Sequence, residues 1–400
     1  MNVSAHRAFS FLRTYGYERV SCSKEERTVA EALLNECTSL GVSAQLEEFT
    51  VPCGRVSHAL LRVTSPYVKE YEVTGYERAA STPEGGLDTE FLYVENADEV
   101  LLEQAKGKIV LVNGYLNRAT YEKLRKAEAA AILTFTGRTI DRESESDLNR
   151  CKLRETLTEP FGAVPVLNMR AASAAEIVRR GAKTVHIELT GECYDGTSQN
   201  VCATIPGTDK PSEVITLGGH YDSVYFSSGV HDNLSGSVIV LELLRYFAAH
   251  PPRRTLRFCW FGSEEQGLLG SKAYVKAHAD ELKACVAMLN FDVAAPTLGS
   301  NHLVTLATDD ALHYVAGVLR EAGYGVRAKQ DTYSSDCIPF ADNGVPAINL
   351  ARFGANGADY MHNRHDSLKS GYLDEHALDI TLQQGFVPVS YTHLRAHETV

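Results

Sequence analysis

VITLGGHYDS, residues 214–223, decides the fold. An apolar run reaches a Gly-Gly pair and then His220, without the polar alternation that would leave one face wet. Such a run reads as a strand buried on both faces. Three more come after it: TLRFCWFGSEE (255–265), VAMLNFDVAA (286–295) and HLVTLATDD (302–310). Helical segments such as SVIVLELLRYFAAH (237–250) separate them. Buried strands alternating with helices predict an α/β fold, a mostly parallel mixed sheet with helices on both faces. Ligands of such sheets bind beyond the carboxyl ends of the strands. Here those ends carry His220, the adjacent pair Glu264 and Glu265, and Asp292.

Two further stretches join them. GVHDNLSG places Asp232 immediately before the long apolar helix, and YMHNRHDS offers His362 and His365 in a polar loop. Taken singly, each has an ordinary reading. An Asp before a helix is by default an N-cap, a Glu-Glu pair is normally solvated, and one His is usually just hydrogen-bonded. Their coincidence at successive strand ends changes that. Gathering several carboxylates and an imidazole in one crevice is repulsive unless a divalent cation offsets it. Imidazole and carboxylate donors suit zinc, with cobalt or manganese as substitutes.

Upstream, RTVAEALLNECTSLG (27–41) has a helical pattern with a glycine stop, and SAQLEEFTV (43–51) reads as a strand. The text turns polar and rich in Glu, Gly, Ser and Pro from about Tyr67 to Asp88, which reads as a boundary. A compact α/β stretch comes next. Its strands are GKIVLVNG, AILTFTG, VPVLNM and TVHIELTG, and its helices TYEKLRKAEAAA and AASAAEIVRRG. The expected organisation is a catalytic domain in two parts (1–63 and 197–388) around a smaller inserted α/β domain (64–196). The tail VSYTHLRAHETV (389–400) has no apolar period and resembles a translated sequencing adapter, so it is set aside from fold reasoning.

Composition narrows the function. With 51 acidic against 39 basic side chains, the net charge is −12. Nucleic acid and anionic membranes reward dense Lys/Arg stripes, so neither is an expected partner. No apolar run is long enough to span a bilayer, and the first residues lack a secretory pattern. Nine scattered cysteines contain no Cys-x-x-Cys pair, which argues against a zinc knuckle and for buried thiols. A reducing compartment fits, and the cytoplasm is the simplest expectation.

The motifs LGGHYDS, GVHDNLSG, WFGSEEQGLLGS, LNFDVAA and YMHNRHD together resemble the zinc-dependent aminopeptidase family with two cocatalytic metals, the bacterial leucyl aminopeptidase-like exopeptidases. The similarity covers about residues 1–60 and 197–386. The inserted block resembles the protease-associated domain of some members, and by analogy would overhang the site and restrict it to short or unfolded peptides. The resemblance implies two zinc ions, one held by His220 and Asp292, the other by Glu265 and His362, with Asp232 bridging. It implies Glu264 as general base, Asp222 as the group that holds the His220 imidazole, and a cis peptide after Asp232. His362 is preferred to His365 because the family's last ligand lies four residues before an Asp, here Asp366. Tyr360 corresponds loosely to an oxyanion-binding Tyr that some relatives place next to that ligand. Asn363-Arg364 and Cys337 depart from the family's usual residues.

The implied activity is hydrolysis of N-terminal residues from peptides by a hydroxide held between two metals, with Glu264 moving the proton. Coordination lowers the pKa of water from about 15.7 toward 7, and such proton transfer contributes about 10²–10⁴ in rate. Carboxypeptidase or glutaminyl cyclase-like activity on the same fold, or a non-catalytic binding protein, are the alternatives. A carboxypeptidase would want clustered arginines, whereas only scattered Arg352 and Arg364 are seen.

Overall fold

Strands that are apolar along their whole length need cover on both faces, and the fold supplies it. The structure is a computed structural model describing residues 2–142, 145–355, 357 and 361–394. The chain divides into two units, residues 1–51 with 197–400, and residues 52–196.

In the larger unit the strand order is Arg327–Gln330, Gly299–Thr305, Ala347–Gly354, Cys285–Phe291, Lys210–His220, Arg254–Phe261, and then residues 201–205 of the strand Thr184–Ile205. The four strands from Ala347–Gly354 to Arg254–Phe261 are mutually parallel. Antiparallel neighbours flank them on both sides. Side chains alternate between the faces, as the pleat requires. Leu256, Phe258 and Trp260 enter the main core, whereas Cys259 and Phe261 enter a smaller one with Met288, Cys337 and Phe340. Helix Ser235–Ala249 is buried from Ser235 to Arg245, the expected state of a helix apolar all round.

Register then sets the site. Phe261 pairs with His220, and Asn290 with Gly218, so these three parallel strands end nearly level. Helix Ser235–Ala249 begins directly against those ends. A Cβ added at Gly236 would collide with the Phe291 carbonyl oxygen, and one at Gly219 would stand 2.9 Å from the same atom. Both glycines are thus required by close approach. They bring the residues just before the helix, Asp232 among them, beside Asp292.

The second unit has parallel neighbours Leu87–Tyr93, Ile109–Leu111, Ala131–Thr136 and Val166–Arg170, with Val73–Gly75 antiparallel to the last. Ile109, Leu111 and Leu133 enter one core and Val110, Val112 and Ile132 another, so each face of this sheet has its own.

Three features differ from the expectations. The first crossing between units falls at 51/52, not 63/64, because the strand Ser43–Ser65 runs through it without a turn. The turn-rich text beyond Tyr67 marks reversals inside the second unit, including strand Lys69–Tyr71, which pairs back on Leu61–Val63. Helix Ala5–Tyr15, capped by the Ser4 side chain, was not anticipated. Finally, helix Glu375–Leu394 carries on through Val389, which is buried in the main core with Leu378 and Leu382. The helix thus runs into the stretch set aside as a tail, of which residues 395–400 lie outside those described.

Gly236→Ala is expected to lose about 1–3 kcal/mol of stability, the usual cost of overpacking a rigid contact. A lowered thermal midpoint in metal-free protein would register it, and an unchanged midpoint would contradict the contact.

Candidate metal centre

Each candidate ligand is delivered by a chain end or loop the sheet positions. His220 closes its strand, Glu264 and Glu265 come after strand Arg254–Phe261, and Asp292 comes after strand Cys285–Phe291. Asp232 precedes the buried helix, and His362 lies beyond strand Ala347–Gly354. The peptide bond after Asp232 is cis.

The six side chains converge. Nε2 of His220 lies 3.1 Å from Asp232 Oδ1, 3.6 Å from Asp292 Oδ1 and 3.9 Å from Glu264 Oε2. Nε2 of His362 lies 3.1 Å from both Asp232 Oδ2 and Glu265 Oε2. Asp232 thus turns one oxygen to each imidazole. Two groups of donor atoms lie within 4.8 Å of one another, His220/Asp232/Glu265 and His220/Glu264/Asp292. Asp232 Oδ2, Glu265 Oε1 and Asp292 Oδ1 are buried without a hydrogen bond. Close donors that point at a common space rather than at each other fit a divalent cation, and nitrogen with carboxylate oxygen fits zinc.

The electrostatics agree. Burial pushes the Glu264 carboxyl well above the usual range, helped by Glu265, Asp336 and Asp292 and opposed by His220. Glu265 is likewise raised by burial to about 7. Burial would raise Asp232 too, but the two imidazoles overcome it and hold that carboxyl low. His362 is raised well above its ordinary value, chiefly by Glu265. Burial opposes protonation of His220, yet Glu264 and its carboxylate neighbours outweigh it and raise that group as well. Protons are thus held where a cation would sit.

Two carboxylates fix the backbone that carries the candidate ligands. Asp222 stands 3.3 Å from His220 Nδ1, off-line for a hydrogen bond. Its oxygens accept from the backbone N–H groups of Glu264 (3.0 Å) and Glu265 (3.1 Å). Asp366 does the same for His231 (2.7 Å) and Asp232 (2.9 Å), and also accepts from the Tyr372 hydroxyl. In the sequence Asp366 served only as a spacing mark. The fully buried Asp336, which helps raise Glu264, carried no signal there. Its surroundings, Ser-Ser-Asp-Cys, have no pattern that would flag it.

The remaining candidates fall elsewhere. His365 is exposed, His231 donates through Nδ1 to the Ala294 carbonyl, and Trp260 donates to the Ser237 carbonyl within the core. Cys337 is buried in the smaller core. Tyr360 lies outside the described residues.

A convergent imidazole–carboxylate centre at the carboxyl ends of a parallel sheet, with a buried glutamate beside it, has the donor set of a zinc site. The model of peptidase family M28 matches residues 200–383 of the chain. The chain is 27% identical to aminopeptidase YwaD of Bacillus subtilis over 83% of its own length and 71% of that protein. It is 36% identical to leupeptin-inactivating enzyme 1 of Streptomyces exfoliatus, over 46% of this chain and 41% of that one. The chain therefore spans less than half the length of this second relative. The fold is that of a zinc aminopeptidase from Bacillus subtilis, with a TM-score of 0.83 at 21% identity over 99% of this chain and 97% of the other.

Because a cation must displace protons from Glu265, His220 and His362, zinc affinity should fall as pH drops through about 7. The raised values set the sign, since each proton stays on to higher pH than usual. Calorimetric titration in buffers of different ionisation enthalpy would read the released protons. A pH-independent affinity with no proton release would contradict this coupling.

Proposed function

We propose that His220 and Asp292 hold one zinc ion, that Glu265 and His362 hold a second, and that Asp232 bridges them. The activity is that of a zinc-dependent aminopeptidase acting on peptides. The observation that carries the two-metal reading is Asp232, whose oxygens face one imidazole each at 3.1 Å. Cobalt and manganese are the expected substitutes. Bound zinc would supply Lewis-acid activation of water and stabilisation of negative charge on the scissile carbonyl oxygen.

The protein's own part is proton handling and orientation. Glu264 takes the proton of the attacking water and passes it to the departing amine. Its raised pKa favours uptake of the proton, and the more basic departing amine then draws that proton off. Glu265 is not available for the same task, since its carboxylate is engaged with His362. Asp222, through the two backbone N–H groups, keeps the adjacent glutamates pointing to their separate positions. The excess of carboxylate around the centre draws a free α-ammonium, which selects the N-terminus.

A carboxypeptidase would need an arginine free to hold the substrate's carboxylate. Arg352 instead donates to the Pro296 carbonyl and to Asn301 Oδ1. We read the unit 52–196 as protease-associated-like, which its parallel strands with intervening helices support. The buried thiols Cys37, Cys202, Cys259, Cys285 and Cys337 support a reducing compartment, the cytoplasm being the simplest.

Glu264→Gln should retain zinc while peptide hydrolysis falls about 10²–10⁴-fold, the range for a lost general acid–base. Loss of metal instead would show that the roles of the two glutamates are wrongly assigned. Free and N-acetylated peptide amides should also differ sharply, with only the free amine turned over. Equal rates would overturn the aminopeptidase polarity.

A further inference from the structure

The loop from Tyr221 to Gly229 joins His220 and Asp222 to the stretch that carries Asp232, and it has almost no regular structure of its own. Yet Asp232 must return to within 3.1 Å of His220. The group that closes the loop comes from elsewhere. Arg19, fully buried, donates through Nε to the Tyr221 carbonyl at 2.6 Å. Through its other nitrogens it donates to the carbonyls of Ser228 at 2.6 Å and Gly229 at 2.9 Å. The same guanidinium holds the carbonyls of Tyr15 and Tyr17, which anchor it to the end of helix Ala5–Tyr15. Its backbone repeats the link: Arg19 N–H donates to Ser223 Oγ at 2.9 Å, and Ser223 N–H to the Arg19 carbonyl at 3.1 Å.

A guanidinium is a planar fork that can serve acceptors on two sides at once, which an ammonium cannot. Here one fork grips both ends of the loop. Burying that charge is costly and pulls the group down to about 10, while Asp366, Asp222 and Asp232 offset part of the cost. The cation and the carboxylate centre therefore support each other across the loop. A nearby residue extends the support, since Glu26 accepts from the N–H of Ser263, next to Glu264, at 3.1 Å. Arg19 and Glu26 both lie outside residues 200–383, the part matched to the family.

We propose that Arg19 is a positioning residue of the metal centre, setting the distance between His220 and the bridging Asp232 by clamping the two ends of the loop that joins them. The inference rests on the metal-centre reading. Arg19→Lys and Arg19→Gln remove the two-sided grip, and the lysine keeps the charge. Chelator-competed cobalt titration of wild type and both variants, with the cobalt absorption spectrum, reads affinity and ligand geometry independently of turnover. Far-UV circular dichroism and melting in chelator report the fold. Both variants should remain folded, bind cobalt about 10–100-fold more weakly, as loss of a group supporting ligands typically does, and show an altered spectrum. Lys should not rescue, because charge without the fork cannot span the loop. Folded variants with wild-type affinity and spectrum would overturn the proposal. So would loss of fold in both variants, which would make Arg19 a folding determinant only, and so would full rescue by Lys. If wild type itself takes up no cobalt, the metal-centre reading fails first, and that result is distinct from the others.

Discussion

Seven carboxylates crowd one end of the larger unit's sheet, and their mutual repulsion is the constraint on which the rest of the site depends. Asp222, Asp232, Glu264, Asp292, Asp336 and Asp366 are buried, and the Glu265 side chain is nearly so. Removing an ion from water costs several kcal/mol unless it is paired or neutralised. Without a cation the cluster meets that cost with protons, which is why Glu264, Glu265, Asp336 and Asp366 are all raised. Divalent cations would replace those protons and let the carboxylates serve as ligands.

Not all seven face that space. Asp222 and Asp366 are turned into the backbone, each accepting from two consecutive N–H groups. The arrangement repeats: a turn carrying candidate ligands is held by a buried carboxylate that arrives from another part of the chain. Glu264 and Glu265 are steered in this way by Asp222, and Asp232 by Asp366. Orientation of ligands by such outer groups normally matters nearly as much as the ligands do. The sheet supplies the coarse placement, by ending three parallel strands nearly level, and these clamps supply the fine one.

Much of this was legible in the sequence. Four apolar runs separated by helical segments predicted a mostly parallel sheet, and the polar residues at the ends of three of them were expected together beyond its carboxyl ends. Two of the expectations differ from the described elements for a common reason. The 63/64 boundary and the tail at Val389 were both inferred from local text, yet a strand can cross between units without a turn. A helix can likewise bury one late residue because Leu378 and Leu382 have already set its face. Helix Ala5–Tyr15 went unread although Ala8, Phe9, Phe11 and Leu12 are buried along it.

By itself, then, the sequence determined the class of fold, the candidate donors and the chemistry they suit, because strand burial and donor type are properties of short stretches. Only the tertiary structure decided which oxygen of Asp232 meets which imidazole, that Asp366 and Asp222 grip backbone, and that Arg19 ties off a loop some 200 residues away. Those contacts depend on angles and distances between segments remote in the chain. No local pattern encodes them, because a carboxylate or a guanidinium reads the same in sequence whether it faces water, a cation or a carbonyl.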